Sequence, residues 1–410
     1  MKLILNSTSK LFLIFLFSFY FINGANAGWF QQQSGTVSGL FTVHFINANT
    51  GMSAGEQGKV IKTTNGGANW TTCYTNSSYY FYTVYMVNEF VAFAGGVSGF
   101  FIKTTNGGTT WTVMSNPSTN TIRSVVFVNP STGYAAGMSG AFIKTTNQGV
   151  NWVSYPEIVF TINSLYFLDA NTGYTCGSGG IMYRTINGGT NWSQINGGGF
   201  DFNSIKFIDN STGVVVGNAG SCYTTGDGGT SWIQQSTGID NTIYSLSFVS
   251  LSKAVAVGGG GKIISSTNAG ITWSQQSSNV TNILYGVSFA NELTGYAVGE
   301  GGIILKTTNG GSTTVRPMGT QVPERFKLSQ NYPNPFNPST VINFQIAVSG
   351  NVNLKVFDIT GRKIATLVKE RLSPGNYEVT FDASLLPSGV YFYHLDANGY
   401  KETRMMTLAK

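Results

Sequence analysis

The chain has 410 residues, of which 13% are aromatic, 10% are charged and 52 are glycine; this fits a glycine-punctuated all-β protein and excludes a disordered or helical one. The formal net charge of +6 gives no reason to expect nucleic acid, because residues 28–320 hold 11 Lys or Arg against 10 Asp or Glu, too even a balance for a phosphate-binding surface. The length allows two or three domains.

The N-terminus reads as a signal peptide over residues 1–27: Lys2 and Lys10 precede the apolar run Leu11 to Ile22, and Ala25-Asn26-Ala27 offers small residues for cleavage before Gly28. The apolar run of 12 residues is short for a membrane span, which needs about 20. No later segment is expected to cross a bilayer.

Residues 28–315 form a repeat region. All seven tryptophans, Trp29, Trp70, Trp111, Trp152, Trp192, Trp232 and Trp273, fall at gaps of 41, 41, 41, 40, 40 and 41 residues, a period that signals a repeat architecture. Within one unit, Ile122 to Asn129, Gly133 to Gly137, Ala141 to Thr146 and the run from Trp152 read as four strands, with period-two alternation and no helical periodicity. A turn of the Asn-Gly-Gly kind, such as Asn65-Gly66-Gly67, stands between third and fourth strands, because Asn and Gly accept the positive φ of tight reversals.

First-to-third strand sets begin near residues 36, 77, 117, 158, 198, 239 and 280, while Thr314 stands where an eighth Trp is due. The last set therefore lacks a fourth strand, and Trp29 to Gly35 is a fourth strand with no preceding three. Pairing the two completes seven blades and leaves only short edges exposed. The expected fold is a seven-bladed β-propeller with each Trp packed between neighbouring blades.

Thr225, Asp227, Gly229 and Trp232 fit the pattern Ser/Thr-x-Asp-x-Gly-x-x-Trp, and Thr63, Asn65, Gly67 and Trp70 fit it with Asn in the acidic place. The repeat thus resembles the Asp-box, or BNR, repeat, and the whole unit resembles those of photosystem II assembly and stability factors, which are seven-bladed propellers. Asp-boxes lie away from active sites, so the resemblance implies structure rather than catalysis.

Residues 316–325 read as a linker, since Pro and polar residues replace strand alternation. Residues 326–410 follow with six period-two runs separated by turns, which predicts a small immunoglobulin-like β-sandwich. Its proline-rich opening contains Asn331, Pro333, Pro335, Phe336 and Pro338; Gly361 ends Val356-Phe357-Asp358-Ile359-Thr360-Gly361, and Gly389 lies in Leu386-Pro387-Ser388-Gly389. These motifs resemble the type A C-terminal sorting domain of the type IX (Por) secretion system of Bacteroidetes-like bacteria. That resemblance implies the type IX secretion machinery as a partner and a secreted or cell-surface location, with the tail removed and the cargo released or fixed to lipopolysaccharide.

Catalytic residues are sparse. A sialidase needs an arginine triad, whereas residues 28–315 contain only Arg123 and Arg184. Candidate carboxylates for paired acid–base chemistry are Glu56, Glu157, Asp201, Asp240 and Glu300. No cofactor or metal is expected, because His44 and His394 have no partner at ligand spacing. Cys73, Cys176 and Cys222 fall at three different repeat positions, which leaves a Cys176–Cys222 bridge open.

For binding, the ring brings equivalent positions to one mouth: Phe41, Tyr82, Arg123, Asn163, Asn203, Tyr244 and Tyr285. Aromatic area with amide orientation suits a sugar or an extended peptide. A second series, Lys62, Lys103, Lys144, Arg184 and Lys306, adjoins the Asn-Gly-Gly turns as a candidate basic rim. The leading expectation is a non-catalytic binding or scaffold propeller with a surface glycan or protein ligand. The alternatives are an Asp-box glycan hydrolase or an assembly factor for an envelope complex.

Overall fold

The computed structural model describes residues 28–155, 158–195, 197–311, 316–318, 322–383 and 386–410. The signal peptide, Glu157 and Thr314 lie outside the described residues.

Seven four-stranded antiparallel sheets form a propeller. Blade 1 comprises Leu40–Phe45, Gly51–Gly55, Val60–Thr63 and Thr71–Tyr74, and blade 3 comprises Ile122–Phe127, Gly133–Gly137, Phe142–Thr145 and Val153–Ser154. Second strands such as Gly133–Gly137 are buried along their whole length, which explains their small residues: both faces lie against neighbouring blades. A Cβ on Gly137 would sit 1.8 Å from the Thr121 carbonyl oxygen, so the backbones approach there only with glycine.

Blade 7 takes its outer strand from the other end of the chain. Phe30–Gln32 pairs antiparallel with Ile304–Thr307, with Phe30 opposite Lys306 and Gln32 opposite Ile304. Trp29 is 1% exposed and packs among Val255, Val257 and Ile263 of blade 6 and Leu305 of blade 7. Trp152 likewise contacts Phe93 and Phe101 of the preceding blade. These rings add apolar area to the seams between blades.

The seven turns that follow the third strands are tied internally. In blade 1 the Thr63 hydroxyl accepts from Gly67 N–H at 2.8 Å and donates to Asn65 Oδ1 at 3.0 Å, and that oxygen accepts from Asn69 N–H at 2.9 Å. Thr225, Asp227, Gly229 and Ser231 repeat this in blade 5.

The C-terminal sandwich stacks the sheet of Arg316–Pro317, Gly375–Asp382, Ser339–Ile346 and Lys327–Leu328 on that of Lys363–Leu372, Gly350–Asp358, Gly389–Ala397 and Tyr400–Leu408. Its core includes Phe336, Ile342, Leu354, Phe381 and Tyr393. The segment read as a linker differs in one respect: Arg316–Pro317 pairs with Tyr377 and Glu378. A proline fits an edge strand, where its missing donor faces away from the ladder, so it marked an edge here rather than an unpaired connection.

The Cys176–Cys222 bridge is not formed, and all three thiols are free. Cys176 packs with Tyr174 and Phe202, whereas Cys222 packs with Val214 and Ile243, in separate inter-blade clusters.

Candidate ligand-binding site

The innermost strands surround a channel of about 570 Å³. Each of the seven strands carries a β-bulge at the same place, where the register slips by one residue between Leu40 and Thr42 and at the six equivalents. The extra residues are Phe41, Tyr82, Arg123, Asn163, Asn203, Tyr244 and Tyr285, and all seven line the channel. A bulge residue leaves the ladder and is re-aimed; here the seven side chains are aimed at one mouth.

They touch in a ring. Phe41 stacks on Tyr82 at 5.4 Å and meets Tyr285 edge-on at 5.2 Å, and Tyr285 meets Tyr244 at 5.3 Å. The Arg123 guanidinium lies 5.8 Å from the Tyr82 ring centroid and donates to Asn163 Oδ1. Asn163 Nδ2 donates to the Phe202 carbonyl at 2.8 Å, and Asn203 Nδ2 donates to the Ile243 carbonyl at 3.0 Å and to Asn218 Oδ1 at 3.1 Å. One half of the mouth is aromatic and the other half is amide and guanidinium.

A hydroxyl layer lies one residue deeper. The side-chain oxygens of Ser124, Ser164, Ser204 and Ser245 accept from Leu165, Ile205, Leu246 and Val287 N–H of the next blade at 3.1 to 3.4 Å. These bonds lock blade to blade around the lumen.

Deeper still lie His44, Tyr85, Val126, Tyr166, Lys206, Ser247 and Ser288, each three residues after a bulge. His44 Nδ1 accepts from Met86 N–H at 3.3 Å. Burial, aided by the charge of Lys206, pulls the His44 pKa down to about 4, so the imidazole is neutral at pH 7. Burial also lowers the pKa of Lys206, whose ammonium lies 5.2 Å from the Tyr166 ring centroid. This inner belt was not singled out from the sequence. Period-two alternation puts residues 41, 43 and 45 on one face, whereas the bulge switches the parity and turns His44 and its equivalents into the lumen. The one available signal was a mostly polar series at the 40- to 41-residue repeat spacing, broken by Val126.

The basic series does not form an open rim. Lys62, Lys103, Lys144 and Lys306 donate to the carbonyls of Gly107, Gln148, Gly188 and Gly66 in the next blade's turn at 2.7 to 2.8 Å. Arg184 lies 5.9 Å from the Tyr174 ring centroid. Neighbouring tyrosines make parallel links, Tyr174 to the Gly228 carbonyl at 2.9 Å and Tyr296 to that of Ala48 at 3.1 Å. The four lysines connect blades.

Of the described candidate carboxylates, Glu56 and Glu300 of adjacent blades both act on the Tyr285 hydroxyl at the mouth, and three accept backbone N–H bonds. Glu56 accepts from Gly39 N–H and Asp201 from Gly179 N–H, both at 2.7 Å, and Glu300 accepts from Ile283 N–H at 3.5 Å. Asp240 is exposed. Among the described residues no Asp or Glu lines the channel.

In the sandwich the proline-rich opening is clamped onto the last strand. Asn331 is 2% exposed and its Nδ2 donates to the Pro333 carbonyl and to Thr340 Oγ1, each at 3.0 Å. Phe336 is buried in the core, with its N–H donating to the Thr407 carbonyl and its carbonyl accepting from Ala409 N–H, both at 3.0 Å. Pro333, Pro335 and Pro338 are exposed on the same loop. Gly361, at φ +79°, closes a turn in which the Asp358 carboxylate accepts from Thr360 Oγ1 at 2.6 Å and Arg362 Nε at 3.0 Å. Gly389 opens the strand Gly389–Ala397.

Residues 330–408 match the secretion system C-terminal sorting domain, and residues 109–235 match the photosynthesis system II assembly factor YCF48. The tail directs export through the type IX machinery to the cell surface or the extracellular space. A solved structure of YCF48 bound to a D1 peptide is 20% identical, with a TM-score of 0.61, covering 69% of this chain and 97% of that one. YCF48 from Cyanidioschyzon merolae is 21% identical, with a TM-score of 0.58, covering 68% and 99%. The WD40 propeller domain of Doa1 reaches a TM-score of 0.59 at 11% identity, covering 68% and 96%. At these identities the likeness shows the fold. No curated protein matches the chain.

Proposed function

We propose that residues 28–315 are a non-catalytic binding propeller, carried out of the cell by the tail at residues 326–410 after removal of residues 1–27. The mouth belt is its ligand-contacting face, and a surface glycan or protein segment is its ligand. The observation that carries this reading is the bulge repeated in all seven blades, which turns seven equivalent side chains into one mouth. Phe41, Tyr82, Tyr244 and Tyr285 supply contact area, and Arg123, Asn163 and Asn203 supply orientation. A lining without carboxylates among the described residues offers no acid–base pair for glycoside hydrolysis.

A glycan array probed with the mature chain, run beside a panel of fluorogenic glycosides, tests the reading. Retention without turnover is the expected result. Turnover that disappears when one carboxylate is replaced would instead establish the hydrolase. The match of residues 109–235 to an assembly factor favours a second reading, service to an envelope complex. Co-purification of stable envelope subunits with the wild-type chain would support that reading, against the direction of the export tail.

A further inference from the structure

Lys206 is a half-buried cation in the channel wall with no carboxylate partner among the described residues. Its side chain runs in the channel wall on Phe202–Phe207, it makes no hydrogen bond to a described residue, and its ammonium has the face of Tyr166 at 5.2 Å. The ionisable groups coupled to it are the Cys176 thiol, itself held protonated by burial, and the His44 imidazole. Taking an ammonium out of water without an anion is unfavourable, and a cation–π contact offsets that only in part.

The groups facing the same lumen are donors. Because His44 Nδ1 accepts a backbone N–H, its proton resides on Nε2, which leaves an N–H donor. Ser288 places a hydroxyl in the same belt whose oxygen accepts from Phe45 N–H and whose proton is left to donate. A cation, an imidazole N–H and a hydroxyl, with no carboxylate among the described lining residues, form a site for one anionic group. The cavity of about 570 Å³ joins this belt to the aromatic and amide mouth and is of small-molecule size. Aromatic faces beside amides match the apolar face and the hydroxyls of a sugar ring.

We infer that the channel seats the carboxylate of an acidic saccharide on Lys206, with its sugar ring reaching back to the belt of Phe41, Tyr82 and Asn163. The inference rests on the binding reading above and names its ligand class. It is tested by titrating glucuronate and glucose into the full exported chain by calorimetry, for the wild type and Lys206→Met. Glucuronate is expected to bind the wild type at least tenfold more tightly than glucose, and Lys206→Met to remove that preference. Equal affinity for the two sugars, or a preference that survives Lys206→Met, overturns the inference.

A second measurement does not depend on the variant folding. In chain labelled with ¹⁵N at the lysine side chains, saturating glucuronate is expected to raise the titration midpoint of Lys206, and an unmoved midpoint counts against the site. A short peptide with a free C-terminal carboxylate that displaces glucuronate and outbinds it would overturn the saccharide assignment. Array binding that survives Lys206→Met but is lost in Tyr82→Ala would overturn this inference alone and leave the binding mouth in place.

Discussion

The Trp29 indole N–H donates to Gln276 Oε1 at 2.8 Å, so the residue just before the closing strand is anchored to blade 6 while that strand pairs with blade 7. The ring is thereby closed by residues 247 positions apart in sequence. Trp29→Ala removes both the buried ring and this bond, and large-to-small changes of this kind cost about 3 to 5 kcal/mol. Urea unfolding is expected to show a loss in that range; a loss below about 1 kcal/mol would mean that the seam does not depend on Trp29.

The lysines that reach the next blade's turn contribute by hydrogen bonding to neutral carbonyls. Lys144→Met, which breaks the 2.8 Å bond to Gly188, is expected to cost about 0.5 to 1.5 kcal/mol. Because no carboxylate accepts this bond, the cost should be the same in low and high salt. Guanidinium unfolding is unsuitable because it is itself a salt; urea unfolding at two sodium chloride concentrations checks the point.

Two windows of acid sensitivity follow from the pKa shifts. Burial pulls His44 from its ordinary 6.5 to about 4, so the native state binds fewer protons than the unfolded chain and stability falls as pH drops through that interval. Asp227 is drawn from 3.8 to about 2 by hydrogen bonds from Ser231 and Thr225, so its contribution is present above about pH 4 and fades towards pH 2. His44→Gln should flatten the upper window of a stability–pH curve, and Asp227→Asn should reduce the lower one, which Asp169, Asp209 and Asp358 share. The other six turns carry Asn at this place and add no titration.

The tail has its own core, and Phe336 joins the proline-rich loop to it. Phe336→Ala is expected to lower the tail's unfolding transition by about 3 to 5 kcal/mol while leaving that of the propeller in place, as calorimetry of the full chain would show. In the native host, deletion of residues 326–410 should leave the propeller in the periplasm, and undiminished delivery to the cell surface would contradict the sorting role.

The ring was legible because its determinants are local and repeated: a Trp, an Asn-Gly-Gly turn and a small-residue strand in each unit announce four strands at a fixed spacing. The mouth residues Phe41 to Tyr285 were legible by equivalence alone. Their reason for facing the lumen is a bulge, a register event between strands that no single strand's alternation reveals. The same shift hid Lys206 and His44. Lys144 and its equivalents looked like a solvated rim because their acceptors are backbone carbonyls about 44 residues away, which carry no side-chain signature.

The double variant Tyr82→Ala/Tyr285→Ala, scored on a glycan array beside the wild type, bears most directly on the role of the mouth. The two rings flank Phe41 at 5.4 and 5.2 Å, and aromatic contacts of this kind contribute about 0.5 to 1.5 kcal/mol each beyond their buried area. Retention is predicted to fall about tenfold or more with circular dichroism unchanged. Undiminished retention by a folded double variant would contradict the assignment of the bulge belt as the ligand-contacting face.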